Sequence, residues 1–245
     1  MTEKIMALGF FDGVHRGHAA LLRRAAALAA ARGLRSAAMS FTTHPSALLH
    51  GESLPLLSGV AERRQLMQSV GGVDETLFLP FDRRMQSLPW ERFLEELTEQ
   101  QQVRGYVAGY DYRFGRFGEG DGEKLRRWCR ERGLLAEVVP AVELDGVVVS
   151  STHIRALLER DELEEALRFL GHPYLLCTAG GSSPLRWGEG RLALRPGAYL
   201  AHVTLPGGEE RGGVRVEVTP RGVVLPFATP EGELTLAITG RAHKE

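Results

Sequence analysis

Lys4-Ile5-Met6-Ala7-Leu8-Gly9-Phe10-Phe11-Asp12-Gly13-Val14-His15-Arg16-Gly17-His18 runs from an apolar, strand-like segment into a glycine- and aspartate-rich turn, and residues 17–31 continue it with strong helix formers and leucines at helical spacing. Strand, loop and helix in that order predict the first unit of an open α/β sheet. The alternation persists outward from it. Leu34–Phe41, Glu75–Leu79, Val103–Gly109 and Leu134–Val139 read as strands, and Val60–Val70, Pro89–Gln101 and Gly120–Arg132 as helices. Strands alternating with helices imply a parallel sheet covered on both faces, a Rossmann-like α/β domain. A hairpin around Asp145-Gly146 and two short helices, Thr152–Arg160 and Glu162–Leu170, follow.

From about Gly171 the texture changes. Gly180-Gly181-Ser182-Ser183-Pro184, Arg195-Pro196-Gly197 and Pro206-Gly207-Gly208 separate short β-type runs, and no helical period appears. A small all-β, barrel-like domain is expected there. The division read from this pattern is 1–172 for the α/β domain and 173–245 for the β domain.

Composition sets the broad class. In 245 residues, 43% are hydrophobic and 25% charged, and thirty basic against thirty-one acidic residues leave a net charge of −1. That balance points to no nucleic-acid partner and no anionic membrane surface. Cys129 and Cys177 lack CxxC spacing, so neither a zinc site nor a disulfide framework is indicated. The first residues do not read as a signal peptide, and no run of about eighteen apolar residues occurs. A cytoplasmic protein is expected.

Three segments carry candidate chemistry. His15 and His18, separated by Gly17 at the mouth of a helix, suit polyphosphate. The helix N-terminus supplies N–H groups and partial positive charge, the imidazoles add donors, and glycine permits close approach. Such a loop lies where open α/β sheets bind ligands, at the carboxyl ends of the strands. In Ser150-Ser151-Thr152-His153-Ile154-Arg155, Ser151 or Thr152 could cap the next helix and offer a hydroxyl to phosphate, with the Arg155 guanidinium one turn on. Gly109-Tyr110-Asp111-Tyr112-Arg113-Phe114-Gly115 suggests a loop that holds a planar ligand, or else a surface loop with Phe114 tucked into the core. His44-Pro45, after the second strand, is either a ligand contact at the same rim or a proline-fixed bend.

Taken together these segments resemble the bacterial FAD synthetase family, the usually bifunctional riboflavin kinase and FMN adenylyltransferase. The resemblance rests on Phe11-Asp12-Gly13-Val14-His15-Arg16-Gly17-His18, on Asp111-Tyr112-Arg113-Phe114-Gly115 and on Ser150-Ser151-Thr152-His153-Ile154-Arg155, and covers roughly residues 4–174. It implies transfer of AMP from ATP to FMN, giving FAD and pyrophosphate, with magnesium accompanying ATP. His15, His18 and Arg155 would be catalytic, as holders of the phosphates. Gly9, Phe10, Phe11, Asp12, Gly17, Asp111, Arg113, Ser151 and Thr152 would line the ATP site, and His44 and Pro45 would face the flavin. Thr42-Thr43 replaces the Asp-Pro that usually precedes the family's His-Pro pair. No general base is assigned, because an FMN phosphate oxygen is already nucleophilic at neutral pH.

The tail departs from the family. Residues 196–203 and Gly207-Gly208 resemble part of the riboflavin kinase barrel, but the kinase signature Gly-Phe-Pro-Thr-Ala-Asn is absent and Ser182-Ser183-Pro184-Leu185-Arg186 stands in the region instead. Loss of riboflavin kinase activity is therefore expected, with homo-oligomerisation through the β domain as a further expectation. Alternatives are a related nucleotidyltransferase with another phosphorylated acceptor, or a non-catalytic flavin- or nucleotide-binding regulatory protein.

Overall fold

Five parallel strands, β1 (Lys4–Leu8), β2 (Arg35–Phe41), β3 (Glu75–Leu79), β4 (Val103–Gly109) and β5 (Leu135–Val139), pair in the order β3-β2-β1-β4-β5. The computed structural model describes residues 2–51 and 54–242. Between the strands lie α1 (Arg16–Ala30), α2 (Pro45–His50), α3 (Val60–Ser69), α4 (Arg83–Ser87), α5 (Trp90–Gln101) and α6 (Gly122–Glu131). β1 is buried along its whole length because it is the central strand, with β2 on one side and β4 on the other.

Side-chain alternation then sorts the core. Met6, Leu8, Met39, Phe41, Tyr106 and Ala108 form one buried cluster with Trp90, Phe93, Leu94 and Leu97 of α5 and Leu125 and Trp128 of α6. On α1, Leu21, Leu22, Ala25 and Ala29 are the buried stripe, spaced for one helical face. The short helices α2 and α4 carry too few residues for a period to show, and the sequence reading passes over both.

After the two-residue strands β6 (Glu143–Leu144) and β7 (Val147–Val148) come α7 (Ser151–Glu159) and α8 (Leu163–Leu170), then β8 (Tyr174–Ala179), β9 (Gly197–Thr204), β10 (Glu210–Thr219), β11 (Gly222–Val224) and β12 (Glu233–Arg241). The last five form a curled antiparallel sheet, a half-barrel in the order β11-β10-β9-β12-β8. Tyr199, Ala201 and Val203 alternate inward on β9, as do Leu234, Leu236 and Ile238 on β12.

Contacts gather the chain into two units, residues 1–54 with 64–148, and residues 55–63 with 149–245. Helices α7 and α8 thus group with the half-barrel, although the sequence texture changes only near residue 172. Polar contacts explain it. The Arg241 guanidinium pairs with Asp161, the Arg241 backbone N–H donates to Glu164 (3.0 Å), and the Arg195 guanidinium donates to the Glu159 carbonyl. Glu62, from the short segment 55–63, forms a buried ion pair with Arg191 and accepts from the Cys177 N–H at 2.8 Å.

Candidate active site

The strand order turns back on either side of β1, the arrangement at whose strand ends open α/β sheets bind ligands. Segments 41–45, 9–18 and 109–115 leave the carboxyl ends of β2, β1 and β4, three neighbouring strands. The topology of the first unit therefore collects three of the four predicted segments at one edge of one sheet.

The loop after β1 is folded against backbone preference. Phe11 (φ 60°), Gly13 (φ 71°) and Val14 (φ 40°) all lie in the left-handed region, which a β-branched residue rarely adopts. Burial holds them there, since Phe11 and Val14 are fully enclosed and Asp12 is almost so. Ser40 of β2 donates its hydroxyl to the Phe10 carbonyl at 2.7 Å, anchoring the start of the loop. The sequence offered no signal for this tie.

The loop delivers His15 as the N-cap of α1, its Nδ1 accepting the His18 backbone N–H at 3.3 Å. A neutral imidazole that accepts at Nδ1 carries its proton on Nε2. The His15 and His18 rings stack with centroids 3.7 Å apart, and the Phe11 ring meets His18 edge-on at 5.3 Å. Burial first, and the neighbouring His15 second, push the His18 pKa well below its usual value. The His18 Nδ1 is shut from solvent and has no hydrogen-bond partner. An orphaned imidazole nitrogen at a helix N-terminus is suited to an arriving anion, which would supply the missing partner and favour the protonated ring.

After β4, Phe114 enters the core against Trp90 and Phe93, as one of the two sequence readings held. Two backbone hydrogen bonds between Phe114 and Gly120, 3.1 and 2.8 Å, close the loop. Gly115 (φ 73°) is required at its position, because a Cβ there would lie 2.4 Å from the Trp90 backbone. Asp111 and Arg113 stay exposed at the strand end, and the Arg113 guanidinium reaches Asp121 at 3.3 Å. Asp121 caps α6, and the Lys124 N–H holds its carboxyl below the usual carboxylate range.

His44 does local work. It caps α2 by accepting the Ser46 N–H at 3.2 Å, Pro45 occupies the first turn, and the ring contacts Phe10 edge-on at 4.5 Å.

Ser151, Thr152 and Arg155 belong to the second unit, on α7. The expectation that Ser151 or Thr152 caps this helix is corrected. Ser150 does so, accepting the His153 N–H at 3.2 Å, because it is the residue with extended backbone angles ahead of the first helical turn. Thr152 is exposed, and its hydroxyl accepts a long hydrogen bond from Arg155 Nη2 at 3.4 Å. Neither cysteine is poised as a nucleophile: burial pushes the Cys129 thiol up to about 12 and the Cys177 thiol up to about 11.

A doubly wound parallel α/β domain with its loops gathered at a switch point, followed by an antiparallel half-barrel, defines a Rossmann-like α/β fold with an appended β domain. The chain belongs to the FAD synthetase family, whose sequence model matches residues 1–153. It is 34% identical over 174 residues to a bifunctional riboflavin kinase/FMN adenylyltransferase of Listeria monocytogenes, covering 70% of this chain and 55% of that one. A protein of the same description from Pseudomonas fluorescens is 35% identical over 172 residues, 69% of this chain and 55% of the other. The chain thus spans about half the length of these curated relatives. The crystal structure of a macrolide-efflux protein from Streptococcus pneumoniae shares the fold over 100% of this chain and 87% of its own, with a TM-score of 0.81 and 22% identity. That likeness concerns fold alone.

Proposed function

We propose that the chain transfers AMP from ATP to FMN, releasing FAD and pyrophosphate, with residues 1–172 as the transferase and 173–245 as a β domain without riboflavin kinase activity. The observation that carries the reading is the strained, buried loop after β1, which holds two stacked histidines, one with an orphaned nitrogen, at a helix N-terminus. Family membership supplies the reaction class.

In this reading an FMN phosphate oxygen forms a bond to the α-phosphorus of ATP, and the bond from that phosphorus to the α,β-bridging oxygen breaks as pyrophosphate leaves. The protein's work is alignment and charge stabilisation. His15, His18 and the first turn of α1 receive the phosphates, aided by the small Gly9 and Gly17 and by the Phe10–Asp12 backbone, while Arg155, Ser151 and Thr152 supply the second set of donors. Asp111 and Arg113 serve the adenine nucleotide, and His44 and Pro45 border the flavin. Magnesium enters as the counter-ion of ATP. Among the described residues no group of three or more His, Cys, Asp or Glu side chains could cage it, so nucleotide oxygens and water would be its ligands.

The reading is of a cytoplasmic enzyme acting on small molecules, self-associating through the β domain; concentration-dependent sedimentation of the full chain tests the association. No helix among the described residues is long and apolar enough to cross a membrane. The activity test is purified chain with ATP and magnesium, offered FMN or riboflavin, with products separated by chromatography. FAD from FMN and no FMN from riboflavin is expected, and His18→Ala should cripple FAD formation without unfolding the chain. Silence toward FMN would refute the reading, and phosphorylation of riboflavin would refute the kinase-free tail.

A further inference from the structure

Between β2 and α3 the chain makes an excursion. Residues 55–63 group with the half-barrel unit, while the loop before them and the rest of α3 after them belong to the α/β unit. One arginine dominates the contacts that keep the excursion in place. Arg191 Nη2 donates to the Leu57 and Leu175 carbonyls, both at 2.9 Å, and Nη1 meets the Glu62 carboxylate. Glu62 also accepts the Cys177 N–H at 2.8 Å. The Leu56 N–H donates to the Gly190 carbonyl and the Leu56 carbonyl accepts the Leu192 N–H, each at 2.8 Å, as a parallel bridge to Arg191. Leu57, Ser58, Glu62 and Arg63 are all buried.

The excursion closes a sheet edge. β8 ends the order β11-β10-β9-β12-β8. Its Leu175 carbonyl and Cys177 N–H lie two residues apart, on the same edge of the strand, and find their partners on Arg191 and Glu62 instead of on a further strand.

The segment ahead of the excursion has no such support of its own. None of residues 44–49 is buried, and Leu48 and Leu49 of α2 are exposed. A six-residue helix is far shorter than one that is stable without packing. The near end of this segment is tied by the Thr42 N–H to the Leu79 carbonyl (2.9 Å) and by the His44 ring against Phe10. At the far end Gly51 is followed four residues later by Pro55, a reach of at most about 14 Å. The ends of α2 therefore set its position, and the far end leads straight into the segment that Arg191 holds.

We propose that Arg191 is a positioning residue for the acceptor side of the transfer site: by gripping the Leu56–Glu62 segment, the half-barrel fixes the loop that carries His44 and Pro45. The inference rests on the reading that this loop borders the flavin, and it gives the β domain a task that needs no kinase chemistry. A planar guanidinium spans Glu62 and two carbonyls at once, which the single ammonium of a lysine does less well.

The double variant Arg191→Met/Glu62→Met removes the grip and leaves neither charge buried alone. In steady-state assays of the full chain, KM for FMN should rise about tenfold while kcat and KM for ATP stay within about twofold, a loss of binding on one side only. Hydrogen exchange followed by mass spectrometry, which needs no turnover, should run about tenfold faster at residues 46–50. Arg191→Lys should show both effects in part. Val218→Ala opens a cavity on β10, three strands from β8 in the sheet order, and should move neither readout although it destabilises the half-barrel. Unchanged exchange at residues 46–50 in the double variant, an equal change from Val218→Ala, or a KM for FMN that stays put or rises no more than that for ATP would each overturn the proposal. A wild-type chain inert toward FMN refutes the transfer reading, and the exchange comparison still decides whether Arg191 positions the loop.

Discussion

Replacing Gly9 by alanine tests how the loop after β1 is held. A Cβ at Gly9 would lie 2.9 Å from Cε1 and Cζ of Phe11 and 3.2 Å from Cε2. Non-bonded carbons settle at about 3.5–4.0 Å, so the ring must retreat by roughly 0.5–1 Å. It has nowhere to go, being fully buried at a left-handed backbone position. Overpacking of this kind costs about 1–3 kcal/mol. Gly9 does not have a positive φ, so alanine returns about 0.4–1 kcal/mol through the unfolded chain, leaving a net loss of about 1.3 kcal/mol at the middle of the two ranges. Urea unfolding followed by tryptophan fluorescence measures it, because Trp90 and Trp128 are buried in the same unit. The midpoint should fall with little change in slope. Phe11→Leu should then relieve Gly9→Ala, so that the double variant is more stable than the sum of the singles by about 1 kcal/mol. An unchanged midpoint for Gly9→Ala, or simple additivity, would refute the reasoning.

In an NMR titration of the free protein, His18 should protonate well below pH 6.5, and ATP should raise its pKa. His15→Ala should raise it only in part, because burial is the larger cause. The sign for stability follows from the depressed value. Below about pH 6.5 the unfolded chain takes up a proton here that the folded chain refuses, so this position's contribution is intact above that pH and falls away as the solution is acidified toward the folded pKa. A free-protein pKa at or above 6.5 would contradict the site geometry. Glu62→Gln should lower stability by about 3 kcal/mol or more in thermal unfolding, since it strands the Arg191 guanidinium in the half-barrel interior, whereas replacing both partners with methionine should recover much of the loss. Ser150→Ala should cost about 1 kcal/mol in urea unfolding as a lost helix cap, while Thr152→Ala should stay within about 0.5 kcal/mol and show its effect in FAD formation.

The sequence by itself determined the alternation of strands and helices, because hydrophobic period and Gly/Pro punctuation are local properties. Glu75–Leu79 and Val103–Gly109 are strands with the bounds read from their residues, and the apolar stripe of α1 is visible in its leucines. It also determined the three motifs that mark the family. Only the tertiary structure decided the strand order that gathers the loops after β2, β1 and β4, since order depends on which distant segments pack together. The left-handed turn at Phe11 needed the surrounding core to hold it. The choice of Ser150 over Ser151 as cap needed a backbone angle, and the Glu62–Arg191 pair joins residues 129 positions apart. Residue types along a chain state which chemistry is available. Which groups meet, and with what charge, follows from burial and neighbours that a linear pattern does not contain.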